Sequence, residues 1–198
     1  MHQTNGLMSL FTSKREQRLW TWTLASVVAI YSTLGLASIL AEQLRKKGMN
    51  DDIAAVAFLT AMLLVGLTIL TQGLKTRPSG REVAVVLGLT AVYFMLFFRM
   101  TMPERSHLIE YSVVAVFCYE ALLERQKQGA LARFPAILAI FITTLLGAID
   151  ECIQYFLPNR VFAFEDIVFN TFAAILAVVA STILAWAQHR LGKRSSKT

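Results

Sequence analysis

The sequence predicts an all-α, polytopic membrane protein: a transmembrane bundle of about six helices with both termini in the cytoplasm. Hydrophobic residues make up 56% of the 198-residue chain, and its mean hydropathy of +0.54 is far above that of a soluble domain. Apolar runs recur at residues 19–41, 53–70, 83–98, 108–123, 134–156 and 167–186. As helices these runs cross a hydrocarbon core of about 30 Å, the third and fourth by borrowing their flanks. The 19 Lys and Arg residues exceed the 13 Asp and Glu, but they sit in short clusters between apolar runs. That is the pattern of topology signals, and no basic amphipathic face suited to nucleic acid is present.

The first run follows Lys14, Arg15 and Arg18 as a signal sequence would. It is longer than the usual signal core of roughly 7–15 apolar residues and lacks a small-x-small cleavage site, so it reads as a retained anchor. Residues 1–18 form a cytoplasmic arm in this reading, and residues 189–198 a basic cytoplasmic tail. The segment before residue 14 and the tail after Arg190 are expected to lack fixed structure. One set of loops carries Lys14, Arg15, Arg18, Lys75, Arg77, Arg81, Arg125, Lys127, Arg133 and the basic C-terminus. The other set carries only Arg45, Lys46, Lys47, Arg99, Arg105 and Arg160. Because cytoplasmic loops are enriched in Lys and Arg, the second set faces the periplasm or exterior.

That orientation brings the polar residues of the last three runs to one membrane face. Glu104, His107, Glu110 and Tyr111 open the fourth helix; Asp150, Glu151 and Gln154 close the fifth; Asp166 and Asn170 open the sixth, with Arg160 in the loop between. His107, Glu110 and Tyr111 at i, i+3 and i+4 share a helix face, and Glu104 extends it by a turn. On the fifth helix Thr143, Thr144, Gly147, Asp150, Glu151 and Gln154 form a stripe of small and polar residues, with Leu145, Leu146, Ile149 and Ile153 directed elsewhere. The sixth repeats the device with Asp166, Asn170, Ala173, Ala174, Ala177, Ala180 and Ser181, as helices do where they pack together in lipid.

Acids brought this close cannot all stay ionised without a compensating cation. A protonated carboxyl beside an ionised one supplies a general acid and a general base. Carboxylates together with His107 can instead hold a divalent metal ion, for which His107, Glu110, Asp150 and Glu151 are the candidate ligands. The bland alternative is that these groups cap helix ends and bond across the bundle, which Asp166 at a helix N-terminus would do whatever the function. Glu120, Glu124 and Arg125 read as interface charges, and Trp20, Trp22 and Trp186 as interfacial belt residues. Cys118 and Cys152 fall at different depths and read as packing residues.

Three blocks occur in order: Glu104-Arg105-Ser106-His107-Leu108-Ile109-Glu110-Tyr111, then Asp150-Glu151-Cys152-Ile153-Gln154 running on to Pro158-Asn159-Arg160, then Asp166-Ile167-Val168-Phe169-Asn170. Their order and spacing resemble the VanZ-like family of small bacterial membrane proteins. The family often has Pro-Gly-Arg where this chain has Pro158-Asn159-Arg160, and Gly where it has Ala173. The resemblance implies a four-helix core at residues 83–188, with residues 19–82 as two additional transmembrane helices. It also implies a multi-pass place in the bacterial inner membrane and a role in the cell envelope. The family's founding member is associated with resistance to the glycopeptide teicoplanin.

The leading expectation is an outward-facing acidic pocket that binds or modifies an amphiphilic envelope molecule, such as a lipid-linked phosphate or glycan. Glu110, Asp150, Glu151 and His107 would do the acid/base or metal work. Arg160 would bind the headgroup, and Gln154, Asp166, Asn170, Tyr111 and Glu104 would orient it. Membrane lipids, lipid-linked envelope precursors and envelope enzymes are the expected partners. Two other readings are a proton-coupled transporter or lipid-translocating module, which needs a polar path running inward, and a non-catalytic partner of envelope enzymes, which needs a functional outer surface.

Overall fold

A computed structural model describes residues 11–33, 46, 102–129, 133–157 and 162–195. These residues form four helices: α1 (Lys14–Thr33), α2 (Met102–Lys127), α3 (Pro135–Tyr155) and α4 (Phe164–Ser195). The expected spans at 53–70 and 83–98 lie outside the described residues. The first, fourth, fifth and sixth expected spans correspond to α1–α4. α1 begins before residue 19 and α4 runs past Arg190 to Ser195, so parts of both expected arms are helical.

Local chemistry explains the helix ends. Ser13 is followed three residues later by Glu16, the pattern of a capping box, and the Ser13 hydroxyl accepts a hydrogen bond from the Glu16 amide at 3.0 Å. The Glu16 carboxylate reaches back one residue further, accepting from the Thr12 amide and hydroxyl, both at 2.6 Å. α2 stops at Gly129, whose φ of 79° needs a residue without a Cβ, and the Gly129 amide donates to the Gln126 carbonyl at 3.0 Å. α3 starts on Pro135, where the missing amide hydrogen is not needed. Glu165 and Asp166 occupy the first turn of α4, where negative charge meets the positive end of the helix dipole.

α2 is the hub, packing against α1, α3 and α4. Neighbours in the chain order run antiparallel. On α2 versus α3, Tyr119 and Leu122 pack near Ala139, while His107 at the other end of α2 reaches Glu151. On α3 versus α4, Thr144 donates to Thr171 at 3.1 Å, and Ala139 packs with Val178. α1 lies along α2, with Leu19 against Val113, Phe117 and Ala121 and with Val27 and Ile30 against Val114.

The polarity of α3 and α4 is inverted relative to that of a soluble bundle. The buried residues of α3 are Ala139, Thr143, Gly147, Asp150, Glu151 and Gln154, while Phe141, Leu145 and Ile149 are exposed. On α4, Asn170, Ala173, Ala174 and Ala177 are buried, and Val168, Phe172, Ile175, Val179 and Ile183 form an exposed apolar stripe. Small and polar groups inward with large apolar groups outward is the arrangement that lipid demands. Residues Pro135–Gln154 and Phe164–Ile183 are long and apolar enough to cross a membrane.

Three expectations change. Leu146 is partly buried rather than turned away, packing near Leu108 and Tyr111, because α1 and α2 wrap further around α3 than its polar stripe alone indicates. Trp20 and Trp22 pack against the core, with the Trp22 ring 6.1 Å from that of Phe117. They face α2 because α1 docks along it, whereas Trp186 is exposed. Cys118 is buried as expected, but Cys152 is exposed because Asp150 and Glu151 take the inward positions of that turn.

The end of the bundle away from Asp150 is closed by charge. Arg15 pairs with Glu120 at 3.0 Å and with Glu124 at 3.2 Å. Arg125 pairs with the fully buried Glu16 at 3.2 Å. Burial pushes the Glu124 carboxyl up, but hydrogen bonds from Ser13 and Gln128 and the charges of Arg15 and Lys127 outweigh it and hold the group below its ordinary value. Glu124 therefore stabilises the fold above the unfolded carboxyl pKa, and that stabilisation is lost as pH falls through the folded value. On acidification from about pH 5 to pH 3, wild type in detergent should lose more thermal stability than Glu124→Gln. Equal losses would show that the carboxylate does not clamp α1 to α2. Arg15→Ala should cost about 1 kcal/mol or less at neutral pH, since its pairs are partly exposed.

Candidate functional site

Three helix ends meet at the opposite end of the bundle, and each brings polar residues by its own periodicity. α2 supplies His107 and, one turn later, Tyr111; α3 supplies Asp150, Glu151 and Gln154; α4 supplies Asp166 and, one turn later, Asn170. His107, Tyr111, Asp150, Glu151, Gln154 and Asn170 are all buried. Asp166 is partly exposed at the rim.

Glu151 is held on two sides. Its Oε1 accepts from the Gln154 amide at 3.1 Å, and its Oε2 accepts from the Ala163 backbone N–H at 3.2 Å. The second bond ties the carboxylate to the segment just before α4. His107 Nε2 lies 3.9 Å from Glu151 Oε1 and 3.5 Å from Asp166 Oδ2, so the imidazole bridges α3 and α4. One donor atom from each of His107, Asp150 and Glu151 lies within 4.8 Å of the others. Glu110, also expected as a metal ligand, is outside that set. It is half-buried on α2, within electrostatic reach of His107 and Tyr111.

Close approach of α3 and α4 allows this convergence. A Cβ on Gly147 would lie 2.6 Å from Asn170 Nδ2 and 2.7 Å from Asn170 Cβ. Asn170 thus occupies the space that the missing side chain leaves, one turn inside Asp150 and Glu151. Deeper groups lack hydrogen-bond partners among the described residues: Thr143 Oγ1, both amide atoms of Asn170 and His107 Nδ1. A buried polar group left unsatisfied costs roughly 1–3 kcal/mol, which sets these apart from ordinary packing.

The structure thus gathers His107, Tyr111, Asp150, Glu151, Gln154, Asp166 and Asn170. Arg160 lies outside the described residues with Pro158 and Asn159, and Glu104 is on α2 with its side chain undescribed. Sequence reasoning missed two participants, the Ala163 amide and Tyr31, and named Thr143 without giving it a role. The Ala163 amide is a backbone group with no residue-type signal. Thr143 was legible only as part of a stripe. Tyr31 of α1 donates to the Leu146 carbonyl at 2.7 Å and stands within electrostatic reach of Asp150; a hydroxylated aromatic within an apolar run was its only trace.

Inward polarity and outward apolar stripes mark a helical membrane protein, with a buried histidine–carboxylate cluster at one end of the bundle. The chain belongs to the VanZ/LLP1 family, whose sequence model matches residues 6–185. The match takes in α1 as well as the segments bearing the three motif blocks. Comparison with curated proteins and with solved structures finds no match.

Gly147→Ala forces a methyl group into Asn170 and should lower thermal stability in detergent by about 1–3 kcal/mol. Adding Asn170→Gly removes the atoms that the methyl group meets, so the double variant should be more stable than the sum of the two single effects. Strict additivity would mean that the two helices do not meet at this point.

Proposed function

We propose that the acidic site binds, and acts on, the polar headgroup of an amphiphilic envelope molecule such as a lipid-linked phosphate or glycan. The observation that carries this reading is the shared burial of His107, Asp150, Glu151 and Gln154 at one end of a membrane bundle. Each ionisable group placed within the bilayer costs roughly 2.5–3.5 kcal/mol on insertion scales, and helix packing alone needs no such set. A headgroup reaches the end of a bundle laterally or from the water, while its acyl chains stay beside the exposed stripes of α3 and α4.

In this proposal Glu151, fixed by Gln154 and Ala163, and the adjacent Asp150 act as base and acid. His107 relays protons between Glu151 and Asp166, and Glu110 adjusts the local charge. Arg160 supplies the cation for a phosphate through a bidentate guanidinium fork, and Tyr111, Asn170, Asp166 and Glu104 orient the bound group. The distribution of Lys and Arg supports the reading that this face lies on the periplasmic or outer side of a bacterial inner membrane. Membership in the VanZ/LLP1 family supports an envelope role, with glycopeptide resistance of the teicoplanin type as the cellular phenotype to test.

The inward groups Tyr111, Thr143 and Asn170 favour a second reading, in which the acids relay protons for a transporter or lipid-translocating module. Against it, the cluster of Cys118, Tyr119, Leu122, Ala139 and Val178 fills the bundle beyond them with largely apolar packing. A non-catalytic role beside envelope enzymes would instead place the functional residues on the exposed stripes.

Native mass spectrometry of the detergent-purified protein tests the leading proposal. Wild type should retain a phosphorylated or glycosylated lipid that the correctly inserted Asp150→Asn/Glu151→Gln variant releases. Identical lipid-free spectra, together with unchanged cellular activity of the variant, would overturn it.

A further inference from the structure

We propose that His107, Asp150 and Glu151 hold one divalent ion of the zinc or manganese class within the headgroup pocket. The proposal deepens the headgroup-binding reading and rests on it for its function; with His107, Asp150 and Glu151 as ligands, the ion takes over the acid and base work given to them there. The donors are one imidazole and two carboxylates from α2 and α3, buried and within 4.8 Å of one another. Around a tetrahedral ion with bonds of about 2.1 Å, ligand atoms lie roughly 3.4 Å apart. The 3.9 Å between His107 Nε2 and Glu151 Oε1 is therefore closed by a small side-chain adjustment.

Burial of acids alone would not point to an ion; the unpartnered groups around them do. His107 is 5% exposed. Its Nε2 edge faces carboxylates, while its Nδ1 has no hydrogen-bond partner among the described residues. A ligating imidazole needs a lone pair for the ion on one nitrogen and an acceptor for the N–H on the other. Nε2 is the nitrogen that faces the carboxylates, 3.9 Å from Glu151 and 3.5 Å from Asp166, so it takes the ion and Nδ1 carries the N–H.

Tyr111 and Asn170 provide the second independent observation. Tyr111 is 1% exposed, and its ring centroid is 6.1 Å from that of His107. Its hydroxyl is directed at the Asp150 carboxylate, and neither amide atom of the fully buried Asn170 has a hydrogen-bond partner among the described residues. A water or headgroup oxygen bound to an ion beside Asp150 and Glu151 gives the Asn170 amide its missing partner. A divalent charge also offsets two adjacent buried carboxylates, which a neutral ligand cannot do.

Donor chemistry narrows the ion. A mixed imidazole and carboxylate set without thiolate suits zinc or manganese better than copper(I), and the imidazole argues against magnesium. Both cysteines stand apart from the set: Cys152 is on the exposed face of α3, and Cys118 lies in the cluster with Tyr119 and Leu122.

The test is calorimetric titration of chelator-treated, detergent-purified full chain with Zn²⁺, Mn²⁺ and Mg²⁺. Wild type should bind one Zn²⁺ or Mn²⁺ per chain, with Mg²⁺ weaker. Asp150→Asn, Glu151→Gln and His107→Gln should each weaken binding at least tenfold, while Glu120→Gln at the far end leaves it unchanged. If the pocket variants fail to fold, the visible spectrum of Co²⁺-loaded wild type decides. Nitrogen and oxygen ligation without a thiolate band supports the site, and a thiolate band overturns it. Absence of saturable binding to wild type, or binding unaffected by all three pocket substitutions, also overturns it. A lipid retained without metal binding would remove this inference alone; metal binding without a retained lipid would remove the headgroup reading and leave the ion site standing.

Discussion

The close contact between α3 and α4 at Gly147 and Asn170 governs the placement of polar groups in this bundle. Without a side chain at residue 147, the two helices approach until Asn170 fills the gap. The next turn outward on α3 carries Asp150 and Glu151, and the preceding turn on α4 carries Asp166. Their proximity follows from the helix contact. His107 bridges the two helices from α2, and the Ala163 amide fixes Glu151 to the start of α4.

The two ends of the bundle use charge differently. At one end Arg15 and Arg125 pair with Glu120, Glu124 and Glu16, joining α1 to α2 through compensated charges. At the other end carboxylates surround a histidine, and polar groups without partners lie behind them. Compensated pairs close a structure, while a concentration of acids with unsatisfied neighbours favours binding. Between the ends, apolar packing of Val27, Ile30 and Val114 and of Ala115, Ala174 and Ala177 separates the two electrostatic environments.

α2 illustrates a limit of reading membrane helices by hydropathy. It is the central helix, buried against three others, so Glu110, Glu120 and Glu124 can be accommodated by neighbouring helices rather than by lipid. α3 and α4 carry the strongest apolar character, with large apolar side chains on their exposed faces. The charges of α2 read as interface residues when each is considered on its own helix; Glu124 becomes a buried clamp residue only when α1 is laid beside it.

By itself the sequence determined the membrane class, the helix faces and the family, because these depend on local quantities. Hydropathy over about twenty residues decides residence in lipid, and helical periodicity decides which side chains share a face. On those grounds His107 and Tyr111, the stripe from Thr143 to Gln154, and Asp166 with Asn170 were legible before any fold. Tertiary structure decided which faces meet and at what depth. It brought Tyr31 and the Ala163 amide to the site, left Glu110 half-buried, turned Trp22 onto Phe117 and put Cys152 on the surface. Those outcomes depend on packing between residues up to more than a hundred positions apart, where the fit of small residues and the satisfaction of buried polar groups choose among pairings that local periodicity leaves equivalent.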